Sequence, residues 1–111
     1  MTKFLLTLFA AVTVSAAAFA QDPDASQAQD LTNCAGAVAA AGNLDIVNYP
    51  RGASGDWAPV LGRILERLNR EEGVEGMTGR YAASAAKDLG REQSRSDREA
   101  AAEACRARYG S

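Results

Sequence analysis

The sequence predicts an all-α fold, a small four-helix up-down bundle tied by one disulfide between its first and last helices. Three observations predict it. Residues 57–68 carry large apolar side chains at helical spacing, three further stretches are alanine-rich with the same periodicity, and Cys34 and Cys105 fall in the first and last of them. Spacings of three, four and seven mark a core-facing helix.

The first twenty residues stand apart from this fold. Lys3 gives a short positive start, Phe4 to Val14 is apolar, and Ala18-Phe19-Ala20 has the small-x-small form of a signal peptidase site. The apolar run is short for a membrane span and has no charged stop after it. Residues 1–20 are therefore expected to be a cleaved signal peptide, with no membrane span left after cleavage. Residues 21–25 are expected to form a flexible new terminus, and 26–110 a single α-helical domain. Cleavage removes Lys3 and all three phenylalanines, leaving eleven basic against fourteen acidic residues. A domain of this size folds alone with a thin core.

The first helix is expected to begin near Ser26, which has capping-box spacing with Gln29. Leu31, Cys34, Val38 and Ala41 step along one face, while Ala35, Gly36, Ala37, Ala39 and Ala40 let a neighbour's backbone come close. Gly42-Asn43 is a helix stop. The 43–56 segment, NLDIVNYPRGASGD, is punctuated by Pro50, Gly52 and Gly55. Its Leu44, Ile46, Val47 and Tyr49 are too apolar for a solvated linker, so it is expected to fold across one end of the bundle.

The second helix is the stretch around which the fold is expected to be built. It opens at Asp56, a good N-cap, with Pro59 tolerated in its first turn. Trp57, Val60, Leu61, Ile64, Leu65 and Leu68 form its core stripe. Gly62, Arg63, Glu66, Arg67, Asn69 and Arg70 fall on the other side, Glu66 and Arg70 at favourable i,i+4 spacing. Gly73 is the expected stop. The third helix is expected from Val74 or Glu75 to Leu89, with Val74, Met77, Tyr81, Ala82, Ala85 and Leu89 inward.

Leu89 and Cys105 are sixteen residues apart, which at about 100° per residue puts them on opposite sides of one straight helix. The chain is therefore expected to break within Gly90–Arg95, with a fresh capping box at Ser96 and Glu99. A fourth helix over about Asp97–Tyr109 then turns Ala101, Ala102, Cys105 and Tyr109 inward. A three-helix bundle with the last two merged and kinked is the alternative.

Chemistry is sparse. The chain has no histidine, which removes the usual base near neutral pH and the commonest metal ligand. The two cysteines of an exported chain pair most simply with each other, which leaves no thiol nucleophile or zinc site. GASGD at 52–56 lacks the Lys-Ser/Thr of a phosphate loop. The acidic groups lack calcium-loop spacing, and no basic excess marks a nucleic-acid partner. No cofactor or metal is expected, and no catalysis. The expected role is a protein-binding or structural module of the cell envelope, periplasmic or secreted. Its partner would be another envelope or extracellular protein. Tyr49, Arg51 and Trp57, residue types enriched in binding hot spots, are the candidate partner-binding residues. A periplasmic holdase-type stress chaperone is the alternative.

Overall fold

The computed structural model describes residues 23–110. The signal peptide expected over 1–20 lies outside the described residues. Four helices follow in order: α1 (Pro23–Gly42), α2 (Trp57–Leu68), α3 (Gly76–Arg91) and α4 (Arg95–Tyr109). They form a small helical bundle, with no strand among the described residues.

The central element is α1, and not the second helix that the apolar stripe favoured. It packs against α2, α3 and α4, whereas among the other three only α2 and α4 touch appreciably. Leu31, Cys34, Ala35, Val38, Ala39 and Ala40 are all buried and Ala37 and Ala41 half-buried, so its C-terminal half, from Cys34 on, is covered on nearly every side. A helix apolar all round belongs in a core. The one buried polar side chain among its described residues, Thr32, donates its hydroxyl to the Ala28 carbonyl at 2.8 Å. That local bond removes the cost of an orphaned hydroxyl.

Both ends of α1 have local causes. It starts at Pro23, three residues before the expected cap, so residues 23–25 of the segment expected to be flexible are helical. Proline suits a first helical turn because its fixed φ is already helical and its missing N–H would be unpaired there. At the other end Asn43 takes φ +54°, and the Leu44 N–H donates to the Ala39 carbonyl at 2.8 Å. This is a Schellman-type stop, with buried Leu44 supplying its apolar contact.

The second helix buries Val60, Leu61, Ile64, Leu65 and Leu68, as its stripe predicts, with Trp57 half-buried. Two local expectations differ. Asp56 makes no side-chain cap bond, because its own backbone is already helical (φ −68°, ψ −26°). The helix also ends at Leu68, so Arg70 lies beyond it in a turn and forms no ion pair with Glu66. That turn is closed by the Asn69 side-chain oxygen, which accepts from the Gly76 N–H at 2.6 Å.

The inward face of α3 differs most from expectation. Met77, Tyr81 and Leu89 are exposed, at 44, 60 and 69 %, and the buried positions are Gly79 and Ala83. The cause lies in α1. A Cβ on Gly36 would stand 2.5 Å from Ala86 Cβ and 2.6 Å from the Lys87 backbone nitrogen. Two helices this close admit only small residues between them, so the large side chains of α3 rotate outward.

The chain breaks after Arg91, inside the expected window, and the last two helices are separate. The cap, however, is Ser94 and not Ser96. Ser94 has extended backbone (φ −65°, ψ 159°), and its hydroxyl accepts from the Asp97 N–H at 3.1 Å. Ser96 is already inside the first helical turn. Ala102, Cys105 and Tyr109 then face inward, and Cys34–Cys105 forms the disulfide joining α1 to α4, with Cα atoms 5.4 Å apart. Ser94→Ala should therefore cost roughly 0.5–2 kcal/mol in a urea melt, while Ser96→Ala should leave the midpoint unchanged. The reverse order would relocate the start of α4.

Candidate interaction surface

Three large apolar side chains remain exposed among the described residues, and all three sit on α3. Met77, Tyr81 and Leu89 share one i,i+4 row with exposed Ala85. Such a row forms a continuous ridge along a helix surface. Beside this ridge runs a groove of about 540 Å³ between α3 and α1, whose walls include Ala28, Thr32, Val74, Ala82, Ala86 and Leu89. A second depression, of about 350 Å³, continues from Leu89 towards Ala101 and Cys105 on α4. The surface pairs a raised apolar row with an adjacent apolar hollow.

The opposite edge of α3 performs a different task. Arg80 Nη1 donates to the carbonyls of Tyr49 (2.6 Å), Ile46 (3.1 Å) and Val47 (3.4 Å), and Lys87 Nζ donates to that of Leu44 (2.6 Å). The 44–49 segment is thus fastened to α3 by two cations seven residues apart, while buried Leu44 and Ile46 seal the bundle beneath it. Asp45 and Asn48 close the turn between them, and the Asn48 side-chain amide, donating at 2.8 Å, holds the Asp45 carboxyl below its ordinary range. Periodicity of apolar residues is blind to Arg80 and Lys87. Their i,i+7 spacing on an alanine-rich helix was the available signal.

The partner-binding candidates of the 43–57 segment have individual placements. Tyr49 lies over Gly62 and donates its hydroxyl to the Ala58 carbonyl at 2.9 Å. Trp57 packs by Gly42 and lies under the Arg106 guanidinium, 4.9 Å from its ring centre. Arg51 is exposed on the turn. Two of the three are therefore engaged in packing, Tyr49 holding the loop on α2 and Trp57 holding the start of α2 against α1 and α4, and Arg51 alone of the three projects to solvent.

A polar cluster covers the disulfide. Arg108 holds the Asp30 carboxylate through Nε and Nη2, both at 3.2 Å, and its Nη2 lies 3.1 Å from Cys34 Sγ. The Tyr109 hydroxyl donates to the same carboxylate. Burial, and after it the hydrogen bond to Asp30, push the Tyr109 phenol above its ordinary value. Among the described residues no three His, Cys, Asp or Glu side chains gather as a metal site would require. No described helix is long and apolar enough to cross a membrane. Comparison with protein-family models, with curated proteins and with solved structures returns no match.

The Tyr109 cluster gives a pH prediction. A phenol whose folded-state pKa is raised contributes stability that is fully present below the unfolded value, about 10, and lost as pH rises through the folded value. The difference between phenolate absorbance titrations of wild type and Tyr109→Phe should have its midpoint above about 10. A midpoint at or below that value would contradict the cluster as described.

Proposed function

We propose that this chain is an exported, non-catalytic protein-binding module of the cell envelope, and that the outward ridge of α3 is its contact surface. One observation carries the reading. A bundle with a thin core leaves Met77, Tyr81 and Leu89 outside, together on one row and bordered by an apolar groove. Single exposed apolar residues are ordinary, but a contiguous row beside a hollow is the form of an interaction site. This shifts the contact surface from the 43–57 segment to α3, since Tyr49 and Trp57 are occupied by packing. Export is supported by the leader-like 1–20 sequence, and the Cys34–Cys105 bond is compatible with an oxidising compartment.

The same row also favours a second reading, a holdase that offers apolar surface to unfolding clients. Replacing Tyr81 with a photo-crosslinking residue in cells separates the two. The module should give one dominant adduct, and purified partner should bind at least about tenfold more weakly, a loss of about 1.4 kcal/mol, to Leu89→Asp than to wild type. Many unrelated adducts in comparable yield, with suppression of aggregation of unrelated clients, would replace the module by a holdase. No adduct from this face would contradict both.

A further inference from the structure

We propose that the α3 ridge also binds a second copy of this chain, as an antiparallel, two-fold symmetric pair in which the two ridges lie side by side, each bordering the other's groove. The inference rests on the reading of α3 as a contact surface and names one occupant of it.

Along the exposed row the order is Met77, Tyr81, Ala85, Leu89, with no charged side chain in it. Rows at i±4 on two helices interdigitate when the helices cross obliquely, the commonest packing class in globular proteins. Laid antiparallel about a point level with Ala83, the row matches itself. Met77 meets Leu89 of the second copy, and Tyr81 meets Ala85 of the second copy. The large ring is opposed by the smallest side chain of the row, and two flexible aliphatic side chains oppose each other at the ends. Large against small is how facing helices interdigitate. A parallel pairing would instead set Tyr81 on Tyr81 and Ala85 on Ala85.

The hollow supplies the other half. Ala82 and Ala86 line the groove directly beside the ridge, with Ala28 and Thr32 of α1 beyond them. An isologous contact needs one patch to carry both a projection and its complement, because residue i of one copy meets j of the other and j meets i. Ridge and groove side by side on one face satisfy that condition. The polar residues near the groove do not oppose it. Gln29 and Asn33 are hydrogen-bonded to one another at 3.1 Å, and Glu72 is the one charged residue in the groove walls.

Size sets the strength. Three large apolar side chains exposed by 44–69 %, together with the groove walls, give a pair burying on the order of 1,000 Å². That is the lower limit of a specific interface and matches a reversible dimer, not an obligate one.

Sedimentation velocity of the oxidised protein, from about 1 μM to about 1 mM, tests this directly. Wild type should shift reversibly from monomer towards dimer across the range. Leu89→Asp should raise the apparent dissociation constant at least about tenfold, with an unchanged far-ultraviolet circular dichroism spectrum. Ala85→Tyr should weaken the pair by setting ring against ring, and adding Tyr81→Ala should restore it by exchanging the large and small partners. Wild type that stays monomeric throughout, or a dimer indifferent to Leu89→Asp, would overturn the inference. A monomeric wild type whose Tyr81-based crosslinker still captures one foreign protein would overturn it while leaving the binding-module reading in place.

Discussion

The rest of this bundle depends on how closely α1 and α3 approach. At Gly36 the backbone of α1 faces Ala86 and the Lys87 nitrogen with no room for a methyl group. Close contact along a whole helix is favourable because dispersion between well-packed atoms, weak per pair, sums over many pairs. It also imposes a selection on what lies between. Ala83 of α3 is buried, and at Gly90 an added Cβ would stand 3.2 Å from Ala40 Cβ. The bulky residues of α3 have no place inside, so a packing constraint in the core generates the apolar ridge outside. The same rotation sends Arg80 and Lys87 to the edge where the carbonyls of residues 44–49 await donors.

Such a core is short of apolar volume. Its large side chains come mainly from α2, with Leu31 and Val38 of α1 and Leu44 and Ile46 of the following segment. The disulfide compensates by acting on the unfolded chain. It spans a sequence separation of 71 residues, a loop for which the entropy model gives about 4 kcal/mol. That is a large share of the roughly 5–15 kcal/mol typical of a native domain. Arg108, Asp30 and Tyr109 reinforce the same α1–α4 seam with hydrogen bonds. The weak α2–α4 contact is supplemented by the Trp57–Arg106 stack and by Arg63, whose Nε donates to the Gly110 carbonyl.

Much of the fold was legible in the sequence for identifiable reasons. Large side chains at regular spacing fix a helix face, which is why the α2 stripe and the positions of Cys34, Cys105 and Tyr109 agree with the structure. Glycine and asparagine located the end of α1, and the phase mismatch between Leu89 and Cys105 located the break between α3 and α4. The face of α3 was not legible. On an alanine-rich helix the partner's surface decides which side is inside, and the reading followed size where the structure followed smallness. The central role of α1 was hidden for the same reason, since uniformly small apolar residues produce little periodic contrast. Of the candidate site, Tyr49 was read as too apolar for a solvated linker and Trp57 as part of the α2 stripe, but the partners of Tyr49 (Ala58 and Gly62) and of Trp57 (Gly42 and Arg106) belong to other elements. The α3 ridge, being defined by what the core rejects, could be found only once the core was known.

The central claim, that the α1–α3 contact is too close for any side chain at residue 36, is tested by thermal and urea melts of Gly36→Ala. Inside an unconstrained helix this change would stabilise the protein, because alanine exceeds glycine in helix propensity by about 1 kcal/mol. A methyl group forced against Ala86 and the Lys87 backbone should instead cost about 1–3 kcal/mol through overpacking, lowering both the melting temperature and the urea midpoint. A Gly36→Ala protein as stable as wild type, or more stable, would contradict the account.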